Sequence, residues 1–296
     1  MEHKLPLISA IIPVYNRPLQ IKDAILSVLN QSWRPLELIV GDDGSDDETI
    51  LEIRKLQEQA EKATVEMQIL ELKHSGFPGD VRNSCVRAAR GELLAFLDSD
   101  DIWKPEKLSR QAVAFEENPD LEISHTREEW RRAGRIISQS KMRHKREGDI
   151  FKDALKKCII GPSTVMLRKD YYLESGGFRT DLEIAEDYEY WLRLTADTSV
   201  TFLDEPLTIK KAGHSDQLSE KYGHIEIFRI QGLKDLVDSE YFQGWHRQAA
   251  QRELSRKCLV YGRGCIKREK QEEGQEYLDL SGYYEILADK GYGGAC

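Results

Sequence analysis

The chain has no excess of positive charge, no long apolar run and no paired cysteines, and each absence argues against a class of function. Its 43 Lys and Arg are outnumbered by 52 Asp and Glu, for a formal net charge of -9. A sequence-independent hold on nucleic acid needs a basic face, so this balance speaks against one. Nowhere does the chain approach the roughly 20 consecutive apolar residues that a membrane-spanning helix requires. The N-terminal run Leu5-Pro6-Leu7-Ile8-Ser9-Ala10 leads straight into a first strand and lacks the basic, apolar and cleavage regions of a signal peptide. The five cysteines (Cys85, Cys158, Cys258, Cys265 and Cys296) form no CxxC pair. Such an odd, unpatterned set reads as reduced thiols in a cytoplasmic protein. The seven histidines are equally scattered, which argues against a His-based zinc site.

What is present is ordinary in amount and specific in order. The 296 residues, 40% of them hydrophobic and 32% charged, suffice for one large α/β domain plus a small helical extension. Strand and helix signals alternate through the first hundred residues. Leu7 to Val14 is a β-branched run, and Pro18 suits the first turn of a helix that puts Leu19, Ile21, Ala24, Ile25, Val28 and Leu29 on one face. Leu36 to Val40 is a second strand, after which Ser45 and Glu48 match a capping box. A third strand at Val65 to Leu70, a helix from Pro78 to Arg90 and a fourth strand at Leu93 to Leu97 follow. Strands separated by helices imply right-handed crossovers and a parallel sheet, with ligands beyond the carboxyl ends of the strands. Tyr15-Asn16, Asp42-Asp43 and Asp98-Ser99-Asp100-Asp101 all fall at such ends.

Residues 127 to 148 interrupt this rhythm with eight Lys and Arg against three Glu, and Trp130 to Ile137 reads as a hairpin turning near Gly134. The segment is either a solvated excursion or a basic lip toward a phosphate-bearing acceptor or an anionic membrane surface. Beyond it the pattern predicts a helix near Asp149 to Lys157, a strand at Thr164 to Leu167 and a loop at Gly176-Gly177-Phe178. A helix carrying Glu186 to Leu194 comes next, then late strands at Val200 to Leu203 and Leu207 to Lys210. From about Ile225 the chain is helical and polar, with Phe228, Leu233, Leu236, Trp245, Leu254, Leu259, Tyr277, Leu280 and Leu287 as expected buried positions. Those helices are expected to pack on the main domain or on a second subunit in a homodimer.

Three carboxylates directly after an apolar strand are costly unless they are solvated, paired or bound to a cation. Mg²⁺ or Mn²⁺ takes oxygen ligands, commonly one or two carboxylates together with substrate phosphates. Glu186-Asp187 supplies a second pair of carboxylates, at the start of a helix, where they serve either as simple capping anions or as a proton acceptor. Trp191, four residues beyond Asp187 on the same helical face, is either an acceptor platform or a core residue.

Several ordered motifs together resemble family 2 glycosyltransferases. They are Pro13-Val14-Tyr15-Asn16-Arg17, Val40-Gly41-Asp42-Asp43-Gly44-Ser45, Pro78-Gly79-Asp80-Val81-Arg82-Asn83, Gly91 through Asp101, and Trp103-Lys104-Pro105-Glu106-Lys107-Leu108. Glu186-Asp187-Tyr188-Glu189-Tyr190-Trp191-Leu192-Arg193-Leu194 looks like the same family's acceptor-side motif. The resemblance implies a GT-A fold, Rossmann-like, with a mixed, mainly parallel sheet, flanking helices and a C-terminal helical extension. It also implies inverting transfer from a nucleotide-diphosphate sugar, with a UDP-sugar as the expected donor, to a saccharide or lipid-linked acceptor, using Mn²⁺ or Mg²⁺. The expected division is a nucleotide-sugar half (1–101), an acceptor half (102–222) and the helical extension (223–296).

By position, the resemblance puts Pro13, Tyr15 and Arg17 around the nucleotide, with Asp42 and Asp43 on its base or ribose. Arg82 and Asp98-Ser99 would sit by the donor, Asp100 would be the metal ligand with Asp101 as the alternative, and His214 would close over the diphosphate. Asp187, with Glu186 beside it, would be the catalytic base. The chain departs from the family pattern at Asp80, where a small residue is usual, and at Lys210-Lys211-Ala212-Gly213 before His214. Two other readings are a nucleotidyltransferase and a non-catalytic nucleotide-sugar binding protein. The first should carry a Gly-rich basic loop where this chain has Val14-Tyr15-Asn16-Arg17, and the second should have lost one of the two acidic motifs. The basic charge of 127–148 also gives the expectation of a weak peripheral contact at the inner face of the plasma membrane.

Overall fold

The structure is a computed structural model that describes residues 5–132, 134–138, 145–211 and 225–290. Strand β1 (Ile8–Val14) pairs in parallel with β2 (Leu36–Asp42) on one side and β4 (Leu93–Phe96) on the other, and β3 (Glu66–Glu71) extends the parallel set beyond β2. These central strands are apolar on both faces because helices cover both faces, as parallel sheets require. The second half of the sheet is mixed. Its strands are β5 (Ile102–Trp103), β6 (Ile123–Arg132), β7 (Arg135–Ile137), β8 (Met166–Arg168) and β9 (Thr201–Lys211). The order is β3-β2-β1-β4-β8-β6-β9-β5, with β7 hairpinned onto β6 at Gly134, and parallel pairing accounts for most paired residues. This is the GT-A arrangement expected from the sequence.

Helices α1 (Ile21–Leu29), α2 (Thr49–Arg54), α3 (Gln57–Lys62) and α5 (Lys107–Glu117) contribute to one core, on one face of the sheet. Helices α4 (Pro78–Ala88), α7 (Lys169–Glu174) and α8 (Glu186–Asp197) close a second core, on the other face. Helices α6 (Phe151–Lys156), α9 (Ile225–Asp238), α10 (Gly244–Lys267) and α11 (Gln271–Lys290) build a third core that shares Tyr188 and Leu192 of α8. The C-terminal helices therefore rest on the same helix that begins with Glu186-Asp187.

Four local expectations change, each for a physical reason. Ser45 does not cap a helix: its hydroxyl donates to Asp42 and accepts from the Asn16 amide, so α2 starts only at Thr49, whose amide donates to Asp47 Oδ1 at 2.8 Å. Leu19 lies in the turn before α1 and is 83% exposed rather than on the buried face. The two late strands are one strand, β9, which passes through Pro206 at a bulge against β6, where a missing N–H is tolerated. Trp245 is 44% exposed and packs edge-on against Phe151 instead of entering the core.

Candidate functional site

The carboxyl ends of β1, β2 and β4 open into a cleft of 730 Å³ that also takes in the start of α8 and the stretch 157–162. Eleven of the thirteen residues singled out from sequence line it: Pro13, Tyr15, Arg17, Asp43, Arg82, Asp98, Ser99, Asp100, Asp101, Glu186 and Asp187. Asp42 does not. It is 2% exposed, and its two oxygens accept from the Ser45 amide and hydroxyl at 2.9 and 2.5 Å, so it serves the turn. His214 lies outside the described residues.

At the end of β2, Asp43 accepts from the Ser75 and Gly76 amides at 2.8 and 2.9 Å and from the Ser75 hydroxyl. Its carbonyl and its carboxylate both meet His74 Nδ1, at 2.9 and 3.0 Å, and the imidazole stacks on the Tyr15 ring with centroids 4.1 Å apart. Asn16, at a positive φ of 49°, joins this wall by donating through its side-chain amide to Asp46 at 2.7 Å. Asn is among the few residues that adopt this conformation readily. Tyr15 and His74 thus form an exposed aromatic pair beside a buried acceptor, a surface suited to a planar base. His74 was missed from sequence. Its cue was the same as the others', a place just past the end of a parallel strand, β3.

The acidic turn after β4 is held from below. Ser163 Oγ accepts from the Asp98 amide at 3.0 Å and donates to Asp101 Oδ2 at 2.5 Å, while the buried Trp103 indole donates to the Ser163 carbonyl at 2.7 Å. Lys210 Nζ, on β9, sits 2.9 Å from Asp101 and 3.8 Å from Asp98. Arg82 donates to Asp98 Oδ1 at 2.7 Å with one arm and to Glu186 Oε1 at 2.5 Å with the other. That single buried guanidinium ties the two acidic motifs together across 104 positions of sequence. The approach is close: a Cβ on Gly79 of α4 would strike the Arg179 carbonyl and press on Phe178 and Glu186.

The electrostatics divide the carboxylates. Burial works against Arg82, yet Asp98 and Glu186 hold its pKa above the ordinary value. Burial likewise opposes ionisation of Asp98, but Arg82 and Lys210 win and keep its pKa low. Asp100 is raised by burial and by the Asp98 charge, against Arg17 at 3.3 Å. Asp101 is pushed up to about 7 by burial, with Lys210 opposing and Asp98 and Asp100 adding. Glu186 is pushed up to about 7 by burial, against Arg82 and with the help of Asp187. Lys210 is held well above its usual value because Asp101, Glu128 and Asp98 outweigh its burial.

Among the described residues no three His, Cys, Asp or Glu side chains converge as a ready-made metal cage. Asp100 nevertheless fits a hard divalent cation. It is partly open to the cleft and its anion is disfavoured by burial and a neighbouring carboxylate, a cost that a cation shared with substrate phosphates would relieve. Asp101 fits poorly, being 4% exposed and already committed to Ser163 and Lys210.

Helix α8 opens on Ala185 in the left-handed region, φ 65°, and this buried alanine turns the chain so that Glu186 and Asp187 both reach the cleft. A non-glycine residue held there marks a backbone constrained by its surroundings. Asp187 Oδ1 accepts from the Tyr188 amide at 2.7 Å, and Oδ2 accepts from the Cys158 thiol at 3.4 Å. Burial and Asp187 raise the thiol well above its usual pKa, with Arg229 opposing. Trp191 settles as a core residue, 2% exposed among Phe178 and Tyr190. Lys157, Cys158 and Arg229 of this wall carried no sequence signal, since they meet only through the packing of α6, α8 and α9. No helix among the described residues is long and apolar enough to cross a membrane.

Comparison with known proteins converges on the same reading. The sequence profile of glycosyl transferase family 2 matches residues 9–175. The Bacillus subtilis glycosyltransferase TuaG, named for teichuronic acid biosynthesis, is 34% identical over 195 residues, 64% of this chain and 72% of TuaG. The Escherichia coli UDP-Glc:alpha-D-GlcNAc-diphosphoundecaprenol beta-1,3-glucosyltransferase WfgD is 28% identical over 204 residues, 67% of this chain and 73% of WfgD. Staphylococcus aureus TarS 1–349 in complex with UDP-GlcNAc superposes with a TM-score of 0.73 at 22% identity, covering 95% of this chain and 81% of that one, a likeness of fold. With more than half its length matching one profile and its acidic motifs gathered in one cleft, this chain belongs to glycosyl transferase family 2 and is a glycosyltransferase.

Proposed function

We propose that this glycosyltransferase moves a sugar from a UDP-sugar to a saccharide or lipid-linked acceptor in glycan biosynthesis, with inversion and with Mn²⁺ or Mg²⁺. The observation that carries the reading is Arg82, whose two arms bind Asp98 and Glu186 and so fix a donor wall against an acceptor wall. WfgD and TarS lend the donor class, since the former is named for UDP-Glc and the latter was solved with UDP-GlcNAc. WfgD also lends the lipid-linked acceptor.

On this reading the stacked Tyr15–His74 pair flanks the uracil, and the Asp43 loop fixes the pocket's edge. Asp98, kept anionic by Arg82 and Lys210, accepts from a hydroxyl of the ribose or sugar. Arg17 lies 3.3 Å from Asp100 and is positioned to meet the diphosphate. Asp100 would hold the divalent ion, which supplies Lewis-acid stabilisation of the leaving diphosphate. Inversion is one in-line displacement, so a carboxylate must take the acceptor hydroxyl's proton as that oxygen attacks the anomeric carbon and the bond to diphosphate breaks. Asp187 is that base. Its two oxygens are oriented by the Tyr188 amide and the Cys158 thiol, while Glu186 is occupied by Arg82. A thermal-shift screen of nucleotide sugars with Mn²⁺ tests the donor assignment, because a ligand of the native state raises its apparent stability. UDP and a UDP-sugar should raise the melting temperature more with Mn²⁺ than without; a response to GDP- or CDP-sugars alone would overturn the donor class.

A further inference from the structure

Helix α8 keeps its tryptophan, Trp191, in the core, but a different tryptophan faces the cleft. Trp33 and Trp103 are also buried and Trp245 packs on Phe151, whereas Trp130 of β6 is half-buried and lines the cleft. Thr126 and Glu128 line it too, at the two-residue spacing that puts side chains on one face of a strand. Between them and beyond, Arg127 and Glu129 pair with Asp204 and Lys104 instead. The register of β6 against β9 shifts on both sides of Arg127, the kind of irregularity that re-aims side chains beside a site. Past it Lys210 stands opposite Trp130, with its Nζ 6.0 Å from the indole centroid.

The indole Nε1 donates to Glu128 Oε2 at 2.8 Å, which fixes the ring beside the carboxylate. Among the described residues no second aromatic ring packs on this indole. Glu128 Oε1 accepts no hydrogen bond among those residues, and Lys210 Nζ lies 4.0 Å from it. The same oxygen sits against Gly161, where a Cβ would come within 2.3 Å of it. Three residues back along that stretch, the Cys158 thiol touches Asp187. Burial, Asp187 and Glu128 all raise that thiol, so both carboxylates act on one point of the wall.

We propose that Trp130 and Glu128 form a subsite that selects a pyranoside acceptor over an open polyol chain. The inference rests on the glycosyl-transfer reading above and deepens it by naming the acceptor's class. A pyranose ring has an apolar C–H face that suits an indole, and a rim of hydroxyls that suits a carboxylate oxygen still free to accept. An open polyol has the hydroxyls but no flat face to stack. The nucleotide base has its own aromatic surface in Tyr15 and His74, on the far side of β4 and β8 from β6. That leaves Trp130 to the other substrate.

The test is saturation-transfer NMR on the full chain loaded with UDP and Mg²⁺, which avoids the paramagnetism of Mn²⁺. The probes are the methyl pyranosides of glucose, galactose and N-acetylglucosamine, with sorbitol and ribitol as open-chain counterparts. At least one pyranoside should bind, with the strongest transfer to its ring C–H protons. Its affinity should fall about tenfold in Trp130→Ala and in Glu128→Gln, with Trp130→Phe retaining most of it. Should Trp130→Ala fail to fold, Trp130→Leu, apolar but without a π face, takes its place. Absence of binding by every pyranoside, equal binding of the polyols, or unchanged affinity in the variants would overturn the subsite. So would a matching loss of affinity for UDP-Glc or UDP-GlcNAc with UDP binding intact, since that would put the donor's sugar on Trp130. Failure of the wild type to bind UDP would instead strike the glycosyl-transfer reading itself.

Discussion

The two walls of the cleft are built on opposite principles. On the donor wall nearly every polar group is already satisfied within the chain: Asp42 by Ser45, Asp43 by Ser75, Gly76 and His74, Asp98 by Arg82, and Asp101 by Ser163 and Lys210. On the acceptor wall, among the described residues, Asp187 is held by a backbone amide and a thiol, Arg229 pairs with Glu226 at 3.3 Å but leaves its Nε without a hydrogen bond, and Lys157 has no ion pair. A wall braced this way, with Arg82 Nε its one buried side-chain atom among the named groups left without a hydrogen bond, can be complementary to one fixed ligand, because its donors and acceptors reorganise little when the ligand arrives. A wall with open groups waits for its ligand to complete it. On the proposed function, the first would read the nucleotide and the second the acceptor.

Substitutions that act on one wall at a time sharpen this contrast. The largest expected effect is on the acceptor side: Asp187→Asn should lower kcat about a thousandfold, measured by UDP release in the presence of acceptor. Near-normal turnover would remove Asp187 as the base. Next comes the link between the walls. Arg82→Met leaves Asp98 and Glu186 buried without their shared counter-charge and should cost about 4 kcal/mol in denaturant unfolding at neutral pH. A loss no greater than that of a surface substitution would mean that the walls are not coupled through this residue.

Glu186 gives a prediction with a definite sign. Its carboxyl is pushed up to about 7 in the folded chain from an ordinary 4.5, so the native state binds the proton more tightly than the unfolded one. Its contribution to stability is therefore full below about 4.5 and is lost as pH rises through about 7, a difference on the order of 3 kcal/mol. Glu186→Gln should flatten that part of the stability profile in a series of unfolding curves, and an unchanged profile would contradict the assignment. The smallest effect belongs to a single donor-wall contact. His74→Ala removes one ring of the aromatic pair and should weaken UDP binding about fivefold by calorimetry, with the maximal rate at saturating donor little changed.

Much of the donor wall was legible in the sequence because it depends on local pattern. Parallel strands read as apolar runs, and Tyr15, Asp43, Asp98 and Asp100 follow them directly. Glu186-Asp187 was legible through its place at a helix start within a family motif. Contacts between distant segments were not. Arg82 reaches Glu186 across 104 positions, and Lys210 of β9 folds back onto Asp101, a pairing that no spacing rule encodes. The capping box at Ser45 failed for the same reason: the hydroxyl is occupied, accepting from the Asn16 amide and donating to Asp42, and only the fold brings Asn16 there. The acceptor wall was the least legible, since Lys157-Cys158 and Arg229 come from two separate stretches brought together beside the third core.

The most direct test of the central claim, donor and metal on one wall and base on the other, is UDP calorimetry with and without Mn²⁺ run alongside turnover for two variants. Asp100→Ala should lose the Mn²⁺-dependent part of UDP affinity, and Asp187→Asn should keep it in full while transfer disappears. If Asp187→Asn instead lost the Mn²⁺ dependence, or if Asp100→Ala bound UDP with Mn²⁺ as the wild type does, the division of the cleft would be wrong.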